Sequence, residues 1–484
     1  MLILFIIIYL VATMVVGVIA SKYITNGEDY INAGRSLPVF VNSFALFAMW
    51  FGAETIFGAS GRFANGGLIE VIEEPFGATL CLVLFGLVLA RPLYRKNILT
   101  IADLFRDAYG SRIEIYSSFF MLFTYIGYIA AQMVALGLLL QLLIGTTLYQ
   151  GILVASFVVT LYTFAGGMWA VSITDFIQSV MIIVGLVVLC FSLVGEAGGL
   201  THITNQTPDG FFRFLPEATW DSMDGWITSW IVVGLGSLAS QDIFQRVNSA
   251  RSEKVAVRST YIGAGMYLLM SMLPLLIALC VRVLEPNQFI SGDVVDFQSL
   301  VPQVALRHGN LFVQIFFLGA LISAIFSTCS GALLAPSSIL AENLLKPLFF
   351  PHKKGKLSLW LVRLSVLVMS VIATGVAFVE NDIYHMVGYS GGLGLVSILI
   401  PTLFAIYSSK PSSIGAFCSI TFGALSWFLF EIGGKYSETL NNFPISSWIV
   451  GPIVSLIAYL IGRYIQDNLH TTPNTILRRD RNHK

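Results

Sequence analysis

Apolar residues run along most of the chain in long blocks separated by short polar stretches. A hydrocarbon core about 30 Å thick takes about 20 consecutive apolar residues of helix to cross. Blocks of that length predict spans at 2–20, 39–64, 70–91, 114–143, 149–166, 170–195, 225–245, 259–283, 310–341, 358–379, 383–407, 412–431 and 446–466, thirteen in all. The longest loops, 196–224 and 284–309, are too short for a soluble domain. The predicted class is therefore an all-α integral membrane protein in a single transmembrane domain, 1–484, ending in a basic tail at 467–484. Residues 2–20 lack the basic start and small-residue cleavage site of a signal peptide and read as a retained first helix.

Charge fixes an orientation for this scheme. With the N-terminus outside, 22 Lys and Arg fall in or beside inside segments and 5 outside, as the positive-inside rule requires of a protein in the cell membrane with a cytoplasmic C-terminus. Of the 484 residues 56% are hydrophobic and only 11% charged, and the net charge is zero, which leaves no basic surface for nucleic acid. Cys81, Cys190, Cys280, Cys329 and Cys418 lie in apolar stretches without ligand spacing and are expected as free thiols. The histidines are scattered and build neither a metal site nor a nucleophile–base pair, so no enzyme and no cofactor are expected.

Two spans carry interruptions. The second reads SFALFAMWFGAETIFGASG (43–61), with Gly52 beside Trp50 and Glu54; the seventh reads WIVVGLGSLASQDIFQR, with Gly234, Gly236, Ser237 and Ser240 near its middle. Glycine is common in membrane helices simply because it lets neighbours pack closely. These two interruptions, however, each open a block of five spans, 39–195 and 225–407, and an odd number of spans inserts the second block upside down. That is the inverted-repeat pattern of secondary transporters, whose broken helices bind solute near the midplane. Two further helices, 412–466, follow the repeats.

DYINAGRSLP (29–38), FAGGMWAVSITDFIQSVMIIVG (164–185) and GALISAIFSTCSGALLAPSSILAENL (319–344) resemble motifs of the sodium/solute symporter family. LARPLYRKNILTIADLFRDAYGSR (89–112) and SQDIFQRV (240–247) are most similar to the high-affinity choline branch. The family carries proline, sugars, sialic acid, pantothenate and choline on a leucine-transporter-type five-plus-five inverted repeat with discontinuous helices. The resemblance implies sodium as the coupling ion. It places the shared sodium site at the carbonyls of Ala48, Phe51 and Ala324 and the hydroxyls of Ser327 and Thr328. For an isolated Ser–Thr pair, bonding back to a helix carbonyl is the ordinary use. A second sodium, present in some members, would use Asp175, Ser327 and Ser330; Gly331 stands where another hydroxyl is expected, and Asp175 reads equally as an acid at a helix start.

Residues near the two breaks are expected to face a small polar solute: Trp50, Glu54 and Thr55 on span two, Glu74 at the start of span three, Tyr128 and Gln132 one turn apart on span four, and Ser240, Gln241 and Phe244 on span seven. An acid within a span is a functional candidate by default. Glu54 either meets solute or accepts N–H groups freed by the break, and Glu73 and Glu74, just before Pro75, also suit a solvated helix start. By resemblance, Trp50 matches the choline branch, whereas Ala78 and Ser240 stand where it has aromatics; the proline carriers have an acid at Trp50. The solute is therefore left open among amino acids, sugars, organic acids and similar molecules. A proton-coupled carrier, a channel and a transporter-like sensor are the alternatives, although no repeated filter motif and no soluble signalling domain are visible.

Overall fold

A computed structural model describes residues 26–289, 297–350, 359–434, 436–437 and 443–471, with isolated positions between 8 and 24. Most of the predicted first span and most of the 467–484 tail lie outside the described residues. Every long element is a helix. In chain order they are α1 (Gly27–Asn32), α2 (Val39–Trp50), α3 (Glu54–Gly66), α4 (Leu68–Lys96), α5 (Ile101–Tyr109), α6 (Ser111–Ile144), α7 (Leu148–Glu196), α8 (Trp220–Ala239), α9 (Gln241–Ser249) and α10 (Glu253–Leu284). They continue with α11 (Leu300–His308), α12 (Leu311–Phe349), α13 (Leu359–Ala377), α14 (Ile383–Tyr407), α15 (Ser413–Gly433) and α16 (Ser447–Thr471).

Among the described residues, 9 helices are long and apolar enough to cross a membrane, and two bent pairs raise this to 11. The 49-residue α7 is itself two spans: Gly167 sits at φ 49°, ψ −155°, a left-handed conformation that favours glycine and kinks the helix between the predicted spans 149–166 and 170–195. Tyr30 of α1 packs into this kink and donates its hydroxyl to the Thr163 carbonyl. With the kink counted, twelve of the thirteen predicted spans are present, and the remaining one is the largely undescribed first.

The two interruptions are real breaks. α2 and α3 meet at 52° and α8 and α9 at 53°. Phe51 (φ −91°, ψ 72°) ends α2 and Ser240 (ψ 141°) ends α8 in non-helical backbone. Two helix groups surround them. α2/α3, α4, α8/α9 and α10 pack on one another, and α6, α12, α13 and the first half of α7 form the second group. α15 and α16 pair outside the repeats and lean on α14. The lipid-facing sides of the spans leave large apolar side chains such as Phe157, Phe191 and Leu269 exposed, while α12 is buried without interruption from Phe317 to Ile339.

A candidate ion and solute site at the paired breaks

The helix that breaks at Phe51–Ala53 leaves N–H groups without intrahelical partners, and inside a membrane these must be satisfied by protein. Gln132 of α6 does this: its Oε1 accepts the Ala53 N–H at 3.0 Å, and its Nε2 donates to Glu54 Oε2 at 2.7 Å. The Tyr128 hydroxyl donates to the Met49 carbonyl at 2.9 Å and reaches Glu54 Oε1 at 3.5 Å. Glu54 is thus clamped by two residues one turn apart on α6.

On the other side of the break, α12 presents its serine-rich face. Thr328 Oγ1 donates to the Ala48 carbonyl at 2.9 Å, and Ser327 donates to Asp175 of α7. Ala48, Phe51, Ala324 and Thr328 are fully buried, and Ser327 is almost so. Of the residues expected at the shared sodium site, Thr328 and Ala48 are thereby brought into contact across the two helices, and the others are buried on the same two helices. Asp175 also faces Arg246, whose Nη2 lies 3.4 Å from its Oδ2, and the Ser330 hydroxyl turns back to the Ser327 carbonyl at 2.9 Å.

Beside the breaks lies a cavity enclosing about 690 Å³ of atom-free space, part of it open to solvent. Trp50, Glu54, Glu74, Tyr128, Ser240 and Gln241 line it, as expected from the sequence. Thr55, Gln132 and Phe244 do not. Thr55 is turned away onto the Tyr267 hydroxyl at 2.9 Å, Gln132 stands behind Glu54, and Phe244 is fully buried in the packing of α9. Glu73 is not at a solvated helix start either: it is half-buried, bonded to Tyr384, while Arg62 stacks 4.0 Å over the Tyr384 ring.

The structure adds residues to this lining. Asp242 of α9 accepts the Tyr125 hydroxyl at 2.9 Å, and both line the cavity with Ser237 and Ser390. Behind the lining, the fully buried Tyr267 of α10 donates to Glu74 and stands edge-on to Trp50 at 6.4 Å. Tyr125 lies three residues before Tyr128, so helical spacing already puts it on the same face. Asp242 stands inside the quoted SQDIFQRV motif. Tyr267 carries no comparable signal. The cavity lining holds three acids, Glu54, Glu74 and Asp242, and no Lys, Arg or His. Trp50 Nε1, Ser240 Oγ and Gln241 Nε2 are buried donors with no hydrogen-bond partner among the described residues. No cluster of three or more His, Cys, Asp or Glu suited to a multivalent metal occurs among the described residues.

Comparison with known proteins agrees with this architecture. The high affinity choline transporter 1 of Homo sapiens is 26% identical over 432 residues, which are 86% of this chain and 73% of that protein. The osmoregulated proline transporter of Bacillus subtilis is 28% identical over 471 residues, 93% of each chain. The solved substrate-bound, outward-open state of a Na+-coupled sialic acid symporter superposes with a TM-score of 0.80 at 17% identity, over 97% of both chains, and shows the same leucine-transporter-type fold. The family model described as "Sodium:solute symporter family" matches residues 30–423. This chain therefore belongs to the sodium:solute symporter family, as a multi-pass membrane transporter and not an enzyme.

Proposed function

We propose that this chain is a sodium-coupled symporter importing a small organic solute that carries a positively charged nitrogen and an oxygen acceptor. One observation carries the solute class: Glu54, Glu74 and Asp242 line a buried aromatic cavity that has no basic side chain among its lining residues. Acids left uncompensated in a low-dielectric site cost several kcal/mol each, and a cationic solute removes that cost. The faces of Trp50, Tyr125 and Tyr128 add cation–π attraction. The partnerless donors Trp50 Nε1, Ser240 Oγ and Gln241 Nε2 supply hydrogen bonds for an oxygen on the same molecule. Choline and proline, named for two of the relatives, both bear a charged nitrogen.

In this reading the carbonyls of Ala48, Phe51 and Ala324 and the hydroxyls of Ser327 and Thr328 hold the sodium ion. The Thr328–Ala48 hydrogen bond supports it, because it brings the two halves of the ligand set into contact. Ion and solute then share one broken helix: sodium pins α2 to α12, and the solute grips the same turn through Trp50 and Glu54. Ion occupancy favours the outward-open arrangement and raises solute affinity, and linkage makes the effect reciprocal. The basic-residue bias, 22 against 5, supports a cytoplasmic C-terminus in the cell membrane, and an inward sodium gradient then drives import.

The test is a thermal-shift panel on purified protein in sodium and in potassium: choline, glycine betaine, proline, glucose and a sugar acid. Stabilisation by choline or by the zwitterions glycine betaine and proline, in sodium alone, is expected; stabilisation by glucose or the sugar acid instead would reject the solute class. The same acids favour one second reading, proton coupling, in which Glu54 or Glu74 takes a proton in place of sodium. Stabilisation that follows pH and ignores sodium would select it.

A further inference from the structure

We propose that the guanidinium of Arg246 takes the place of a second cation, so that one sodium ion binds per chain. The inference rests on the sodium-coupled reading above. Arg246, on α9, is fully buried, and a buried charge needs a partner. Its fork reaches three elements: Nη2 lies 3.4 Å from Asp175 Oδ2 on α7, Nε donates to the Ala45 carbonyl of α2 at 3.0 Å, and Nη1 lies 3.5 Å from the Asp242 carbonyl on its own helix.

The one carboxylate that a second sodium would use thereby already faces a fixed cation. Asp175 spends one carboxylate oxygen on Arg246 and the other on Ser327. Ser330 donates back to the Ser327 carbonyl at 2.9 Å. At Gly331 a Cβ would lie 2.4 Å from Arg246 Nη2, so the guanidinium fills the space a hydroxyl-bearing side chain would need. An entering sodium would add a second positive charge beside the guanidinium, with one carboxylate to balance both. The fixed cation also joins the inner half of one broken helix to the backbone of the other and, through Asp175, to Ser327 of the shared sodium site. It holds that junction without drawing on the gradient.

The test counts ions on the full-length purified chain, by equilibrium binding of ²²Na+ at constant ionic strength with potassium as the background salt. One ion per chain with a Hill coefficient of one is expected. Two ions per chain would overturn this inference and leave the sodium-coupled reading intact; no binding at all would remove both. In a second arm, the double variant Arg246→Ala/Gly331→Ser frees Asp175 and adds a hydroxyl. It is expected to bind two ions, and adding Asp175→Asn is expected to return it to one. A folded double variant that still binds one ion would also overturn the proposal. If the variant does not fold, the count on the unaltered chain decides.

Discussion

The hydroxyl of Thr328 lies 2.9 Å from the carbonyl of Ala48, across 280 positions of sequence. One residue away on each side stand Ser327, which reaches Asp175, and Met49, whose carbonyl takes the Tyr128 hydroxyl. The proposed ion and solute sites are thus adjacent turns of one helix. Removing the Thr328 hydroxyl would delete one of the five proposed ligands, and losing a hydrogen-bonding partner of a charge costs about 1.5–3 kcal/mol. Thr328→Val is expected to raise the half-saturating sodium concentration by at least about tenfold, since about 1.4 kcal/mol is tenfold. ²²Na+ binding measures this; an unchanged value would remove Thr328 from the site.

The solute side has its own signature. Trp50→Ala removes a ring from the cavity wall, and Glu54→Gln keeps the shape while deleting a charge. Trp50→Ala is expected to raise the apparent KM for solute more than that for sodium. Glu54→Gln is expected to weaken nitrogen cations by about 1–2 kcal/mol, the scale of a charge-assisted bond, and to leave neutral analogues unchanged. Uptake into proteoliposomes with each solute found in the panel gives both numbers.

Much of this was legible in the sequence because broken membrane helices recur in pairs: one glycine reads as close packing, but Gly52 beside Trp50 and Glu54, matched by Gly234–Ser240 five spans later, makes breakage the better reading. Spacing on α6 put Tyr128 and Gln132 on one face, but it did not say that Gln132 faces the backbone and Tyr125 the cavity. Those roles depend on contacts with Ala53 and with Asp242, 79 and 117 positions away. Arg246 was the least legible. A basic residue at the inner end of a span reads as a cytoplasmic charge, and only packing against Asp175 and Gly331 reveals it as a buried one.

A polar junction near the C-terminal end of α12 sets a stability test. Asn343 is fully buried and donates to Asp103 at 2.9 Å and Glu114 at 2.8 Å, while Thr100 donates to its Oδ1 at 2.7 Å. Asn343→Leu leaves two buried acids and a hydroxyl short of a partner, with Arg106 as the remaining counter-charge. A loss of about 2–4 kcal/mol is expected. Detergent-solubilised thermal unfolding measures it, and a variant as stable as the parent would contradict the packing.

At the loop end of α11, the His308 ring sits between Glu196 at 2.7 Å and Glu285 at 2.9 Å. Partial burial lowers its pKa, but hydrogen bonds to Glu196 and then Glu285 outweigh it and raise the pKa above the usual 6.5. A histidine raised on folding stabilises fully below its unfolded pKa and loses that contribution as pH rises through the folded one. His308→Gln is therefore expected to lower the melting temperature at pH 5.5 and to leave it unchanged at pH 9. Equal losses at both pH values would assign the residue to packing alone.

The most direct test of the central claim, that sodium binds where the broken α2/α3 meets α12, needs no solute. Purified protein is titrated with sodium chloride against potassium chloride and its melting temperature recorded, alongside the Ser327→Ala/Thr328→Val double variant. Sodium is expected to stabilise the parent chain saturably and potassium not to, with the difference absent in the double variant. Equal stabilisation by both salts, or a sodium response that survives loss of both hydroxyls, would contradict it.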